Sequence, residues 1–581
     1  MENWGAIFHF ESDLEIDPKL STESDRRGVY VTVAHEMAHQ WFGDLVTMDW
    51  WDDLWLNEGF ASWMEVQATD HFHPEWKLWL DAQGAKESAM RLDARAGTHS
   101  IIQPIRDVLQ ANEAFDTITY SKGMAVIRML ETYTGEDAFR AGVRNYIKAH
   151  AYGNTITDDL WRELDKTSPR PVTMTAHDLT LRPGVPLIRV TRTDGGVTLS
   201  QERFAMDDAS KVPLTWHVPV LEQALGGGPI WRGVVARGAT TSIAGDTASG
   251  FIVNEGQTSY FRTLYDPSLV AILATHFHAL SAEDQLGLLN DSRMLGYTGY
   301  EPLADFLTLA HQADPTLDPQ VQDTLVGRLQ GIDTLYDGMP SQAAFRAFGR
   351  RLLAPLFAKI GWDAKPGESQ NVALLRATLL AALSQFEDEA VIAEARAHFA
   401  AYLRDSSKIA PDTRRSVLSI VTHHADATTW DRIHALAKGA KSTLAKEELY
   451  GLLGAALDRA LARKALDLAL TDEAVVTTRP EIIRNVSNKY PELAFDFVAA
   501  HLDAVNSWLE TDSRNQFPLD LAANAHDVAM IAKLKAFADT HIPATARGET
   551  VKAESAIAFN AQVRTNRLPN VDRWLAAHNA K

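Results

Sequence analysis

The sequence predicts a mainly α-helical, multidomain protein with a small β-sandwich in its middle and a large C-terminal α-helical array. Three observations carry this. The chain has 581 residues, too many for one hydrophobic core. From residue 267 onward, apolar residues recur at helical spacing in runs of 10 to 18 residues with short breaks. Between residues 185 and 265 the period switches to two. The expected division is a first domain over 1–167, a linker over 168–184, the β-sandwich over 185–265 and the helical domain over 266–581.

In chain order, Ala6-Ile7-Phe8-His9-Phe10 reads as a short strand and Asp17-Pro18 as a turn. Ser21-Thr22-Glu23-Ser24-Asp25 offers several N-cap residues to a first helix, and Trp41-Phe42-Gly43 ends it with Gly43 as C-cap. A second helix opens at Asn57-Glu58-Gly59, with Phe60, Met64 and Ala68 at helical spacing. Seven tryptophans fall between Trp41 and Trp79, and most are expected in the core. Residues 81–150 read as helical, Val126, Met129, Leu130 and Tyr133 forming one buried face, and residues 154–164 add one more helix. Ser168-Pro169-Arg170-Pro171 and Arg182-Pro183-Gly184 bound the linker. Strands follow at 187–190, 197–200, 214–218 and 251–253, with Asp194-Gly195-Gly196 as a hairpin turn. Gly226-Gly227-Gly228 reads as a loop; it lacks the flanking elements and lysine of a phosphate cradle. Helices are expected over 372–385, 388–403 and 444–470, among others, packed as antiparallel pairs.

Composition narrows the function. The formal net charge of −20 argues against nucleic acid or an anionic membrane surface as partner. There is no cysteine, so disulfide and thiolate chemistry are out and the redox compartment is unreadable. No apolar run approaches membrane-spanning length. Compartment and oligomeric state stay open.

The chemistry concentrates in His35-Glu36-Met37-Ala38-His39 and, after eighteen intervening residues, Glu58. Histidines four apart on a helix share a face, so both imidazoles reach one metal, and a glutamate from a second helix supplies a third ligand. Three such ligands leave a fourth zinc position for water, as catalytic sites require. Glu36 is then free to hold that water and take its proton. A bare HExxH reads equally as a polar turn of an ordinary helix; the distal glutamate and its helical context are what favour one zinc per chain. His423-His424 is not a second pair, because neighbours on a helix point about 100° apart. Lys122 reads as well as a solvated lysine as a site residue.

The stretch AHEMAHQWFGDLVTMDWWDDLWLNEGFASWME, Ala34 to Glu65, resembles the signature of the aminopeptidase N family of zinc aminopeptidases, peptidase family M1. Met1-Glu2-Asn3-Trp4-Gly5 resembles the tail of that family's Gly-x-Met-Glu-Asn motif, and Thr119-Tyr120-Ser121-Lys122-Gly123 the segment bearing its catalytic tyrosine. Residues 481–505 resemble part of the family's C-terminal domain. The resemblance implies a thermolysin-like peptidase domain over residues 1–167. It also implies zinc on His35, His39 and Glu58, Glu36 as base and Tyr120 as oxyanion donor. Glu2 would pair with the substrate's α-ammonium, with Met1 and Asn3 beside it. The implied substrates are peptides with a free N-terminus. Family members carry a β-rich domain before the Met-Glu-Asn segment, so the chain is expected to be the C-terminal portion of a longer protein. An endopeptidase with the same zinc core, a non-catalytic scaffold and an epoxide-hydrolysing relative are the competing readings.

Overall fold

The computed structural model describes residues 1–225, 227–245, 250–511, 513–544 and 547–578. They fall into two compact units. One comprises Met1–His9 and Tyr30–Val321, the other Phe10–Val29 and Gln322–Lys581.

The first unit is built on a central helix. The chain runs through α1 (Glu23–Ala38), strand β1 (Val46–Met48), α2 (Trp55–Phe72), α3 (Leu78–Asp93) and α4 (Val108–Glu113). A π-helical turn, Ile118–Lys122, leads into α5 (Gly123–Thr134), then α6 (Glu136–His150), β2 (Gly153–Thr155), α7 (Thr157–Thr167) and α8 (Thr173–Thr180). Strand β1 pairs in parallel with β2. Helix α2 is buried continuously from Trp55 to Trp63, which is why Phe60, Ala61 and Trp63 are apolar around nearly the whole helix rather than on one stripe. Helices α2 and α5 meet through two glycines. A Cβ on Gly59 would lie 3.2 Å from Gly123 Cα and 3.3 Å from Thr119 O, so no larger residue allows this approach without displacing backbone.

Seven further strands form two small antiparallel-dominated sheets. They are β3 (Val185–Thr193), β4 (Gly196–Phe204), β5 (Val218–Ala224), β6 (Trp231–Val235), β7 (Thr241–Ala244), β8 (Phe251–Val253) and β9 (Arg262–Tyr265). Their orders are β7-β4-β3-β9 and β6-β5-β8, with β3 and β9 parallel. The expected hairpin turn joins β3 to β4, and Gly196 there has φ +149°, with Ile243 O close to where a Cβ would stand. A buried fork ties this region to α3: Arg262 donates to both oxygens of Glu87 at 2.8 Å and to Asp291 at 3.0 Å.

The second unit is a helical array. Its first segment carries a capping box, in which Asp25 N donates to Thr22 Oγ1 (3.3 Å) and Thr22 N to Asp25 Oδ2 (2.7 Å). Asp25 also pairs with Arg415 at 2.7 Å. Later helices close a core of Phe495, Leu519, Met530, Leu534, Phe537 and Ile557. His423 and His424 point apart as expected: His423 Nδ1 meets Ala455 O at 3.1 Å, and His424 Nε2 meets Ser384 Oγ at 3.0 Å.

Several expectations need correction. Residues 6–10 are not a strand; Ala6 N and Phe8 N bond locally to Asn3 O and Met1 O, and Phe8 is 64% exposed, so the alternation has no sheet to face. Residues 214–217 lie outside β5 because the Gln201 side chain takes both backbone groups of Trp216 that a ladder would use. The first helix ends at Ala38, before Trp41, and Gly43 sits in the following loop with its N–H on Val46 O. The helical stretch from residue 81 is interrupted between Asp93 and Val108, and the linker contains α8. Residues 444–470 form two helices, Thr443–Leu452 and Arg459–Ala469; Asp458 caps the second, and Gly454 lies against Ile482 O where a Cβ would not fit. Of the seven tryptophans, Trp55, Trp63 and Trp76 are buried, whereas Trp41 and Trp50 are about half exposed (53% and 52%). Gly226 of the glycine loop lies outside the described residues.

Candidate metal centre and active site

His35 sits in the last turn of α1. His39 lies one residue past its end, still tied to it by His39 N donating to His35 O at 3.3 Å. Glu58 is in the first turn of α2. These elements bring His35, His39 and Glu58 together as the one group that could hold a metal ion among the described residues. Their donor atoms form a nearly equilateral triangle: His39 Nε2 to His35 Nε2 3.1 Å, His35 Nε2 to Glu58 Oε2 3.3 Å, His39 Nε2 to Glu58 Oε2 3.4 Å. Ligands ~2.0–2.1 Å from a tetrahedral zinc stand about 3.3 Å apart, so the triangle fits that ion.

The hydrogen bonds behind the rings point the same way. His35 Nδ1 meets Glu65 Oε2 at 2.7 Å, and His39 Nδ1 meets Phe42 O at 3.0 Å. Both acceptors require the proton on Nδ1, which leaves both Nε2 lone pairs facing one another and the Glu58 carboxylate. Three electron-rich atoms at this spacing repel unless a cation lies among them. Burial opposes charge on His35, yet the hydrogen bonds and charges of Glu58 and Glu65 outweigh it and raise its pKa to about 10. Burial also opposes ionisation of Glu58, but the two histidines hold it down to about 2. The carboxylates of Glu58 and Glu65 thus favour positive charge at His35.

Glu36 Oε2 lies 3.4 Å from the Met1 amino group, and its side chain is 14% exposed. Glu2 Oε2 lies 3.7 Å from that amino group. The Glu2 backbone is held by Gln40 of the loop after α1, whose Nε2 donates to Glu2 O at 3.1 Å. Met1 is exposed; Asn3 is exposed too, its carbonyl accepting from Ala6 N at 2.8 Å.

Tyr120 stands in the π-helical turn. Such one-turn bulges recur at functional sites because they rotate a side chain off the α-helical register. Its ring stacks on His35, centroids 6.1 Å apart at 18°. Burial first, then the charge and hydrogen bond of Glu58, with Glu2 and Glu36 beyond, push its hydroxyl well above the ordinary tyrosine range. These surroundings thus disfavour the phenolate at Tyr120.

Sequence reasoning missed two partners. Glu65 orients His35, and its signal was present: it lies seven residues after Glu58, two turns on along one face. Lys122 is neither solvated nor in the metal pocket. It is fully buried and paired with Asp93 Oδ2 at 2.8 Å. Asp93 is 29 residues away in another helix, beyond the reach of any local pattern.

Comparison with known proteins adds to this geometry. A family model described as the peptidase family M1 domain matches residues 1–178, and one described as the ERAP1-like C-terminal domain matches residues 251–556. Aminopeptidase M1-D of Oryza sativa subsp. japonica is 31% identical over 525 residues, covering 87% of this chain and 60% of the relative. Aminopeptidase M1 of Arabidopsis thaliana is 33% identical over 500 residues, covering 81% and 56% respectively. The alanine/arginine aminopeptidase of Saccharomyces cerevisiae is 29% identical over 475 residues, with the same coverage of 81% and 56%. The chain spans 56 to 60% of the length of these relatives.

Proposed function

The chain belongs to peptidase family M1, and from that premise we propose that it is a zinc-dependent aminopeptidase that hydrolyses the first peptide bond of peptides with a free N-terminus. The observation that carries the reading is the triangle of His35, His39 and Glu58, with the Tyr120 ring stacked on His35. The names of the relatives support the same class of reaction.

His35, His39 and Glu58 would hold the zinc. When bound, the ion supplies Lewis acidity, lowering the pKa of water and polarising the scissile carbonyl. Glu36 would accept the proton of the attacking water and pass it to the leaving amine. The neutral Tyr120 hydroxyl would donate to the oxygen on which negative charge develops; such a donor contributes about 3 to 4 kcal/mol. The Glu2 carboxylate would pair with the substrate's α-ammonium and set the register, so that only the first bond reaches the centre. That register argues against the endopeptidase alternative.

Metal analysis and kinetics test this together. The folded protein, after buffer exchange, is expected to carry close to one zinc, and a His35→Ala, His39→Ala double variant none. Glu36→Gln should keep zinc and KM while losing nearly all kcat, because it removes a proton acceptor and not a ligand. Zinc retained by the double variant, or near-parent kcat in Glu36→Gln, would refute the assignment.

A further inference from the structure

The buried Lys122–Asp93 pair touches neither the metal triangle nor the space in front of it, yet it anchors the turn that carries Tyr120. Both side chains are fully buried, at 0% exposure, with Lys122 Nζ 2.8 Å from Asp93 Oδ2. Asp93 closes α3 and gathers three more donors: Gly184 N at 2.6 Å, Thr98 Oγ1 at 2.8 Å and the Tyr260 hydroxyl at 3.1 Å. Lys122 Nζ also donates to Arg182 O at 3.3 Å and lies 5.4 Å from the centre of the Tyr260 ring. One residue of the π-turn is thus held by groups from α3, from the segment after α8 and from the segment before β9.

On its other side the turn rests on α2, where Gly59 and Gly123 meet backbone to backbone one residue after Glu58 and one after Lys122. The turn itself is weakly specified. Its amides reach back five residues, as Lys122 N does to Thr117 O, or settle for four, as Tyr120 N does to Asp116 O. A π-turn costs more than the α-helix it interrupts and persists only where its surroundings enforce it.

We propose that Lys122, with Asp93 as its counter-charge, is a positioning residue for the reaction. It holds the π-turn in register so that the Tyr120 hydroxyl faces Glu58 and the metal pocket. The proposal rests on the aminopeptidase reading for its kinetic consequence, but not for its structural one.

The test uses the zinc-loaded full chain. Lys122→Met alone would leave Asp93 buried without its counter-charge and could unfold the protein. The informative variant is therefore Lys122→Met with Asp93→Asn, which removes both charges and keeps the shape. It should retain one zinc and an unchanged KM for an aminoacyl-amide while kcat falls by up to about a hundredfold, the scale of a misplaced catalytic group. The same pair of changes in a Tyr120→Phe background should cause little further loss, because what the pair positions is gone. Equal losses in both backgrounds, or no loss in either, would overturn the proposal. Amide hydrogen exchange provides the arm independent of turnover. Residues 118–123 should exchange faster in the pair variant, while the amides of residues 30–38 keep their parent protection. A parent without turnover would sink the aminopeptidase reading and leave the exchange arm to decide. Unchanged exchange over 118–123 would overturn the positioning role in either case.

Discussion

At the scale of single residues, the site is an arrangement of lone pairs and the groups that aim them. His35 and His39 are histidines because a neutral imidazole offers a lone pair on one nitrogen while the other is fixed by a partner, here Glu65 and the Phe42 carbonyl. The meeting of His35, His39 and Glu58 was legible because helical geometry leaves few meanings for histidines four apart with a glutamate between them and a second glutamate on the next helix. Glu65 was less legible, since its role exists only once α1 and α2 cross. Its function has a measurable consequence. Glu65→Gln keeps a hydrogen-bond acceptor but removes the charge, and should weaken zinc binding by about 10- to 100-fold with the fold intact. Competition with a chelator of known affinity measures this, and parent-like affinity would show that Glu65 does not orient the ligand.

At the scale of elements, α2 and the π-turn explain why Glu58 and Tyr120 arrive together. The glycines at 59 and 123 set that distance. Gly59→Ala would place a methyl group 3.2 Å from Gly123 Cα, and backbone atoms cannot swing aside as a side chain does. We expect a loss of about 1 to 3 kcal/mol in stability and a fall in kcat with zinc retained; thermal unfolding and kinetics on one sample check both. Unchanged stability and kcat would mean that the helices separate freely. Elements whose boundaries are set by local chemistry were legible, such as the Asp194-Gly195-Gly196 hairpin. Those set by a distant partner were not. Gln201 displaces the ladder at Trp216, and the Ile482 carbonyl leaves room only for glycine at 454, each through contacts that no local pattern encodes.

The connection between the helices Ala282–Thr298 and Leu303–Ala310 holds a second element-scale effect. Burial, with help from Asp305 and Asp291, raises the Glu301 carboxyl to about 8 against its hydrogen bond from Ser292 Oγ at 2.6 Å. A carboxyl that binds its proton more tightly in the fold than in the unfolded chain makes stability fall as pH rises between the two pKa values, here from about 4.3 to about 8. Glu301→Gln removes this titration. The variant should therefore gain stability relative to the parent as pH rises from 5 to 8. Denaturant unfolding at several pH values measures the difference, and a gap independent of pH would contradict the shift.

At the scale of the whole molecule, the fold class was legible because length and the change of period from 3.6 to 2 and back survive any error in single boundaries. The molecule is mainly helical, with two small sheets between helical regions, as that change of period implies. A net charge of −20 favours approach of a cationic N-terminus over a polyanion, in keeping with the proposed substrates. The central claim is that the zinc site removes residues from free N-termini, and product analysis addresses it most directly. A short peptide and its N-acetylated twin are incubated with the zinc-loaded protein, and the products are identified by mass. The account predicts release of the first residue from the free peptide and no cleavage of the acetylated one. Efficient cleavage of an internal bond in the acetylated peptide would contradict it.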